Sequence, residues 1–133
     1  MSPNLVLLVT RPGAFQDGLR ALLMATRRVA SVGLAQDYSS AIQAIKELRP
    51  SLVILEDGFL KHEIHTFLQM LQSVSPVTKR IVVADTVERM KAFSQTEADF
   101  IFLPGTPAEE VGRAIERLLP PPSLDDPNFY IVP

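Results

Sequence analysis

The sequence predicts a doubly wound α/β sandwich on a parallel sheet. Short apolar runs recur along the chain, at 5–9, 29–35, 52–55, 81–84 and 100–103. Each run is nearly continuous rather than alternating, which suits strands covered on both faces. Between the runs, apolar residues fall at helical spacing. Strands alternating with helices form βαβ units with right-handed crossovers. Five such runs place the chain in the flavodoxin-like class, strand order 2-1-3-4-5.

"LVLLV" (5–9) is the first strand, and Phe15, Leu19, Leu22 and Leu23 mark the first helix. "VASVGLA" (29–35) is the second strand, followed by a helix on Ala41, Ile42, Ile45 and Leu48. "LVIL" (52–55) is the third strand, and it stops abruptly on Glu56 and Asp57. Ile64, Phe67, Leu68 and Leu71 carry the third helix, and "IVVA" (81–84) is the fourth strand. The segment 87–96 is the weakest helix, short and poor in apolar anchors, with Asp85 three residues before Glu88 as its expected N-cap. "FIFL" (100–103) is the fifth strand. In "TPAEE", Thr106 reads as an N-cap, Pro107 as a first-turn residue and Glu109 as the partner in a capping box. Val111, Ala114, Ile115 and Leu118 then mark the last helix. The predicted domain spans 4–119. From Pro120 the chain changes character, and "PPPSLDDPNFYIVP" (120–133) reads as a proline-rich linker or tail. The sharper alternative is that its Phe129, Tyr130 and Ile131 dock somewhere.

At 133 residues the chain is long enough for a single core, and 47% apolar with 21% charged residues is ordinary globular composition. A net charge of −2 gives no whole-chain reason to expect nucleic acid or an anionic membrane as partner. The absence of cysteine excludes disulfides, thiolate catalysis and cysteine metal sites. The first apolar run is too short for a signal sequence, and no stretch approaches the ~18 apolar residues of a membrane span. A cytoplasmic location is the expectation. His62 and His65 are spaced i, i+3, but no third ligand is evident, so a surface helix start is the better reading. Arg27–Arg28 and Lys79–Arg80 read as isolated, solvated pairs. No G-x-G-x-x-G, Walker motif or nucleophile elbow is present, and no enzymatic activity is expected.

On these residues the chain resembles the response-regulator receiver domain of two-component signalling, most closely receivers that precede a helix-turn-helix DNA-binding domain. "VLLVTRPGAFQDGLRALL" is similar to the family's first strand, acidic turn and first helix. "VASVGLAQDYSSAIQAIKELRPSLVILE" is similar to its second strand, second helix and third strand. "ADFIFLPGTPAEEVGRAI" is similar to its fifth strand and the start of its last helix, so the likeness covers roughly 5–119. The resemblance implies a phosphorylation site at five kinds of position. The metal-binding acidic pair reads Thr10 and Arg11, and the phosphoacceptor position reads Glu56. The hydroxyl position reads Ala84, the lysine position Leu103 followed by the expected Pro104, and the switch aromatic Phe100.

These replacements bear directly on the chemistry. Phosphoryl transfer relies on charge neutralisation by a divalent cation and on positioned donors. Magnesium takes hard oxygen ligands, and Thr10 with Arg11 offers a hydroxyl and a cation instead. Ala84 and Leu103 offer a phosphoryl group neither charge nor side-chain hydrogen bonds. The chain therefore reads as a pseudo-receiver that has lost magnesium binding and carries no catalytic residues. Arg11 is expected to serve as a counter-ion for Glu56, unless both side chains simply face solvent. Asp57 is expected to point to the other side of the strand and to begin a turn with Gly58.

The leading functional expectation is a signalling module that binds a protein partner or itself, without aspartyl phosphorylation. A homodimer through the last helix and fifth strand would use Phe100, Ala108 and Val111. The runner-up is the regulatory domain of a truncated DNA-binding response regulator, touching nucleic acid only through an output domain absent from this chain. An active phosphotransfer receiver using Asp57 and a small-molecule sensor at the same pocket mouth are further readings.

Overall fold

Side chains alternate along a strand, so a run buried throughout must be covered on both of its faces. β3 (Leu52–Glu56) is such a run, with all five residues buried. The computed structural model describes residues 4–59, 64–94 and 96–120. It surrounds β3 with β1 (Leu5–Val9), β2 (Ser31–Leu34), β4 (Lys79–Val83) and β5 (Phe100–Phe102). The helices are α1 (Ala14–Met24), α2 (Tyr38–Leu48), α3 (Ile64–Val74), α4 (Val87–Phe93) and α5 (Ala108–Leu118). The strand order is β2-β1-β3-β4-β5, all neighbours parallel, as the sequence predicts.

The two faces hold separate cores. Val6, Leu8, Leu52 and Ile54 face α1 and α5 and pack with Leu19, Leu23, Val111 and Ile115. Leu7, Val9, Val53 and Leu55 belong to the opposite core with Ala41 and Ile45 of α2 and Phe67 and Leu71 of α3. Phe93 of α4 joins this second core. The register Val9↔Leu55 sets the ends of β1 and β3 side by side, so the loops after them open at one mouth. Among the described residues no helix is long and apolar enough to cross a membrane.

Several local expectations are corrected. β2 is shorter than the run 29–35 and lies at the sheet edge, where Ser31 and Leu34 stay exposed. α4 ends at Phe93 rather than near 96, and its N-cap is Thr86, not Asp85: the Thr86 hydroxyl accepts from Arg89 N at 3.1 Å. Thr106 does not cap α5. Its hydroxyl donates to the Leu103 carbonyl at 2.7 Å, closing the turn after β5, and Pro107 occupies the N-cap without a side-chain bond. A capping box does occur at α2, where Asp37 accepts from Ser40 N at 2.7 Å and its own N–H donates to the Ser40 hydroxyl. These bonds from Ser40 hold the Asp37 carboxyl below the ordinary aspartate range.

The basic pairs divide. Lys79 and Arg27 are exposed, but Arg80 is buried and donates to Gln72 Oε1 at 2.7 Å. Arg28 donates to the carbonyls of Glu116 at 2.8 Å and Leu119 at 3.1 Å, where the end of α5 leaves carbonyls without helical partners. His62 and the segment 121–133 lie outside the described residues.

Phe67 is fully buried and meets Tyr38 edge-to-face at 5.6 Å between ring centroids. Phe67→Ala is expected to destabilise the fold by about 3–5 kcal/mol, read as a fall in denaturant midpoint at unchanged slope.

Candidate functional site

Alternation decides where the two acids at the end of β3 go. Glu56 continues the row of Leu52 and Ile54 toward α1 and α5; Asp57 continues that of Val53 and Leu55 toward α3 and α4. Both are buried. A buried carboxylate is costly unless it accepts hydrogen bonds or meets a cation. The chain satisfies the two by different means.

Glu56 Oε1 accepts the backbone N–H of Arg11 at 2.7 Å. The expected ion pair between Arg11 and Glu56 is not formed. The Arg11 guanidinium instead lies over Gly58, with Nη2 at 3.4 Å from the Asp57 carbonyl oxygen. Gly58 has φ +81°, and a Cβ there would sit 2.6 Å from Arg11 Nη2 and 3.1 Å from Asp85 Oδ2. Glycine thus supplies both the left-handed turn and the space that the arginine fills. Asp57 begins this turn, as the sequence suggests, and its N–H donates to the Val83 carbonyl at 2.8 Å.

The counter-ion in the site belongs to Asp57. Arg89 of α4 donates Nε to Oδ2 and Nη2 to Oδ1, both at 3.0 Å, a bidentate fork. The Asp57 side chain is 6% exposed and that of Arg89 is 49% exposed, so the pair straddles the surface. The guanidinium also lies 4.7 Å from the centroid of the Phe93 ring. The Arg89 hydrogen bonds, against the opposing effect of burial, hold the Asp57 carboxyl below the ordinary aspartate range. The backbone N–H groups of Asp85 and Gly58 act in the same direction.

The remaining predicted positions differ in their surroundings. Thr10 is buried, and Gln16 Nε2 of α1 donates to its hydroxyl at 3.0 Å and its carbonyl at 3.1 Å. Ala84 is fully buried and its N–H donates to the Phe102 carbonyl at 2.9 Å. Leu103 is half-buried against the α2/α3 core, and Pro104 is exposed. Phe100 is half-buried, its ring stacked at 6.0 Å on that of Phe102. Val111, expected on a dimer surface, is instead buried between α5 and the sheet, whereas Ala108 is exposed.

Gln16 and Arg89 were missed by sequence reasoning. Arg89 left a signal: a cation in the first turn of a helix opposes the macrodipole unless something nearby compensates it. Gln16 left none, because a glutamine in a first helical turn is unremarked by any periodicity.

The geometry invites comparison with known proteins. A receiver domain from Methanospirillum hungatei JF-1 superposes with a TM-score of 0.73 at 18% identity, covering 88% of this chain and 94% of that one. The chain has the receiver fold. The signal receiver domain of a DNA binding response regulator from Colwellia psychrerythraea 34H gives a TM-score of 0.75 at 15% identity, over 86% and 97% of the two chains. That of an HD domain-containing protein from Pseudomonas fluorescens Pf-5 gives 0.74 at 20% identity, over 88% and 94%. No protein-family model matches the chain, and no curated protein matches it by sequence.

Magnesium takes hard oxygen ligands, and several oxygens at this mouth are already engaged within the chain. Among the described residues no three His, Asp or Glu side chains are grouped to hold a metal ion. The Thr10 hydroxyl is engaged by Gln16, and a guanidinium stands beside the turn.

Arg11→Ala is expected to lie within about 0.5 kcal/mol of the parent, because the bond to Glu56 comes from the backbone, whereas Glu56→Ala removes the acceptor of that part-buried amide and costs about 1 kcal/mol or more. Denaturant melts of the two variants separate them.

Arg89→Ala leaves Asp57 buried without its cation and is expected to cost about 1–3 kcal/mol, discounted from a fully buried pair because Arg89 is half exposed. The folded Asp57 value is lowered, so this stabilisation is complete above the unfolded value near pH 4 and fades as pH falls through the folded one. Stability measured from pH 7 to 2 should therefore show a shallower acid limb in Asp57→Asn than in the parent.

Proposed function

We propose that this chain is a receiver-like signalling module that acts by protein–protein interaction without aspartyl phosphorylation. One observation carries the reading: both acids at the end of β3 are already satisfied within the chain, Glu56 by an amide and Asp57 by Arg89. An attacking carboxylate must approach a phosphoryl group whose charge is neutralised by metal and donors. Here Thr10 and Arg11 take the acidic-pair positions, and Ala84 and Leu103 bring no polar side chain.

On this reading magnesium binding is lost, no reaction is catalysed, and the module works in the cytoplasm. Arg89 ties α4 to the end of β3, holding the α4–β5–α5 face in one pose, with Phe100 and Ala108 on or near it. A protein partner or a second copy would meet that face. The likeness to the receiver domain of a DNA binding response regulator favours a second reading, a regulatory domain that reaches nucleic acid only through an output domain. A reading frame that continues past Pro133 into a helix-turn-helix pattern would support it.

Incubation with a small acyl-phosphate donor and magnesium is expected to leave the intact mass unchanged. A gain of one phosphoryl group, abolished by Glu56→Ala or Asp57→Ala, would overturn the reading.

A further inference from the structure

The opposite end of the sheet carries a feature that the signalling site does not use. There, Arg49, Lys79 and Arg117 surround a groove of about 400 Å³ with an apolar wall of Pro50, Val77 and Leu118. All three cations are exposed, and Val77 is 77% exposed, the most open large apolar side chain among the described residues. Arg117 also lines an adjoining hollow with Arg28, Arg113 and the one acid Glu116. In a chain of net charge −2, this cluster of cations is a local excess that attracts negative charge.

The structure also fixes where the chain leaves the domain. Arg28 holds the Leu119 carbonyl at 3.1 Å, and Asn4 Nδ2 donates to the Pro120 carbonyl at 3.1 Å. Leu119 is extended, with φ −80° and ψ 141°, and Pro120 itself lines the groove. The chain then continues as "PPSLDDPNFYIVP" (121–133), with Asp125 and Asp126, four apolar side chains from Phe129 to Val132, and no Lys or Arg. Five residues of chain span at most ~18 Å, so Asp125 can reach the charges around the same groove.

We propose that residues 121–133 dock on their own domain in this groove, Asp125 and Asp126 against Arg49, Lys79 and Arg117, and the apolar residues against Val77 and Leu118. The proposal concerns the pole opposite Glu56 and Asp57 and stands independently of the phosphorylation reading.

The chain lacks cysteine, so Ser123→Cys places a nitroxide label at one position. In the full chain at about 20 mM salt, where charge attraction is weakly screened, the amide signals of Ser51, Val77 and Arg117 should fall to roughly half or less of their reduced-label intensity. Those of Gly13 and Gly105, at the other pole, should not. Raising salt to about 0.5 M should restore at least half of the lost intensity, an arm that needs no surface variant. Lys79→Glu with Arg117→Glu should do the same at low salt. No broadening at the groove, or broadening indifferent to both salt and charge reversal, overturns the proposal. A sample mixing labelled chain with isotope-enriched unlabelled chain identifies the occupant: broadening there assigns the groove to a second copy's tail and overturns docking within one chain.

Discussion

Adjacent carboxylates at the end of a buried strand cannot share a counter-ion, because the pleat sends them to opposite faces. This constraint organises the mouth of the sheet. Glu56 lies on the α1/α5 side and accepts from an amide just beyond β1, that of Arg11. Asp57 lies on the α3/α4 side and finds a guanidinium from α4. The cost of burying either charge unpaired would be several kcal/mol. The solution therefore fixes two loops and a helix to the centre of the sheet.

The consequence reaches furthest at α4. Among the described residues it is the shortest helix, seven residues, with Phe93 its only fully packed side chain. Its hold on the domain would be weak from apolar burial alone. Arg89 adds a bidentate charge pair to the sheet and stacks on Phe93, so polar and apolar anchoring meet in one turn. Its position opposes the helix dipole, whereas Arg28 binds the carbonyl end of α5 with the dipole's help. Arg80 shows a less complete arrangement, since its Nε has no partner although the head group reaches Gln72 and lies 3.9 Å from Glu97.

A receiver fold whose site positions are filled by the chain's own groups has an economical physical reading. The scaffold depends on two apolar cores with alternating rows, and nothing in those cores requires the polar residues at the mouth. The mouth can change chemistry while the sheet stays as it is, provided each buried polar group still finds a partner. Thr10 with Gln16 and Asp57 with Arg89 meet that condition.

The sequence by itself determined the sheet, because continuous apolar runs and helical spacing are local patterns that only one layered arrangement buries. The strand order is the one common to the flavodoxin-like class that those runs imply, and the two-residue period places Glu56 and Asp57 on opposite faces. Residue identity alone also places Thr10, Arg11, Ala84 and Leu103 at the positions that the receiver likeness singles out. Only the tertiary structure decided who compensates whom. Glu56 is bonded by a backbone group, which sequence cannot assign, and Arg11 lies over Gly58 because that turn leaves open the space a Cβ would fill. Arg89 and Asp57 are 32 residues apart, and their meeting depends on where α4 lands after β4, a distance no local pattern encodes. The two threonines went the same way: Thr86 caps α4, whereas Thr106 closes the turn after β5 instead of capping α5, and the surrounding fold selects each hydroxyl's partner.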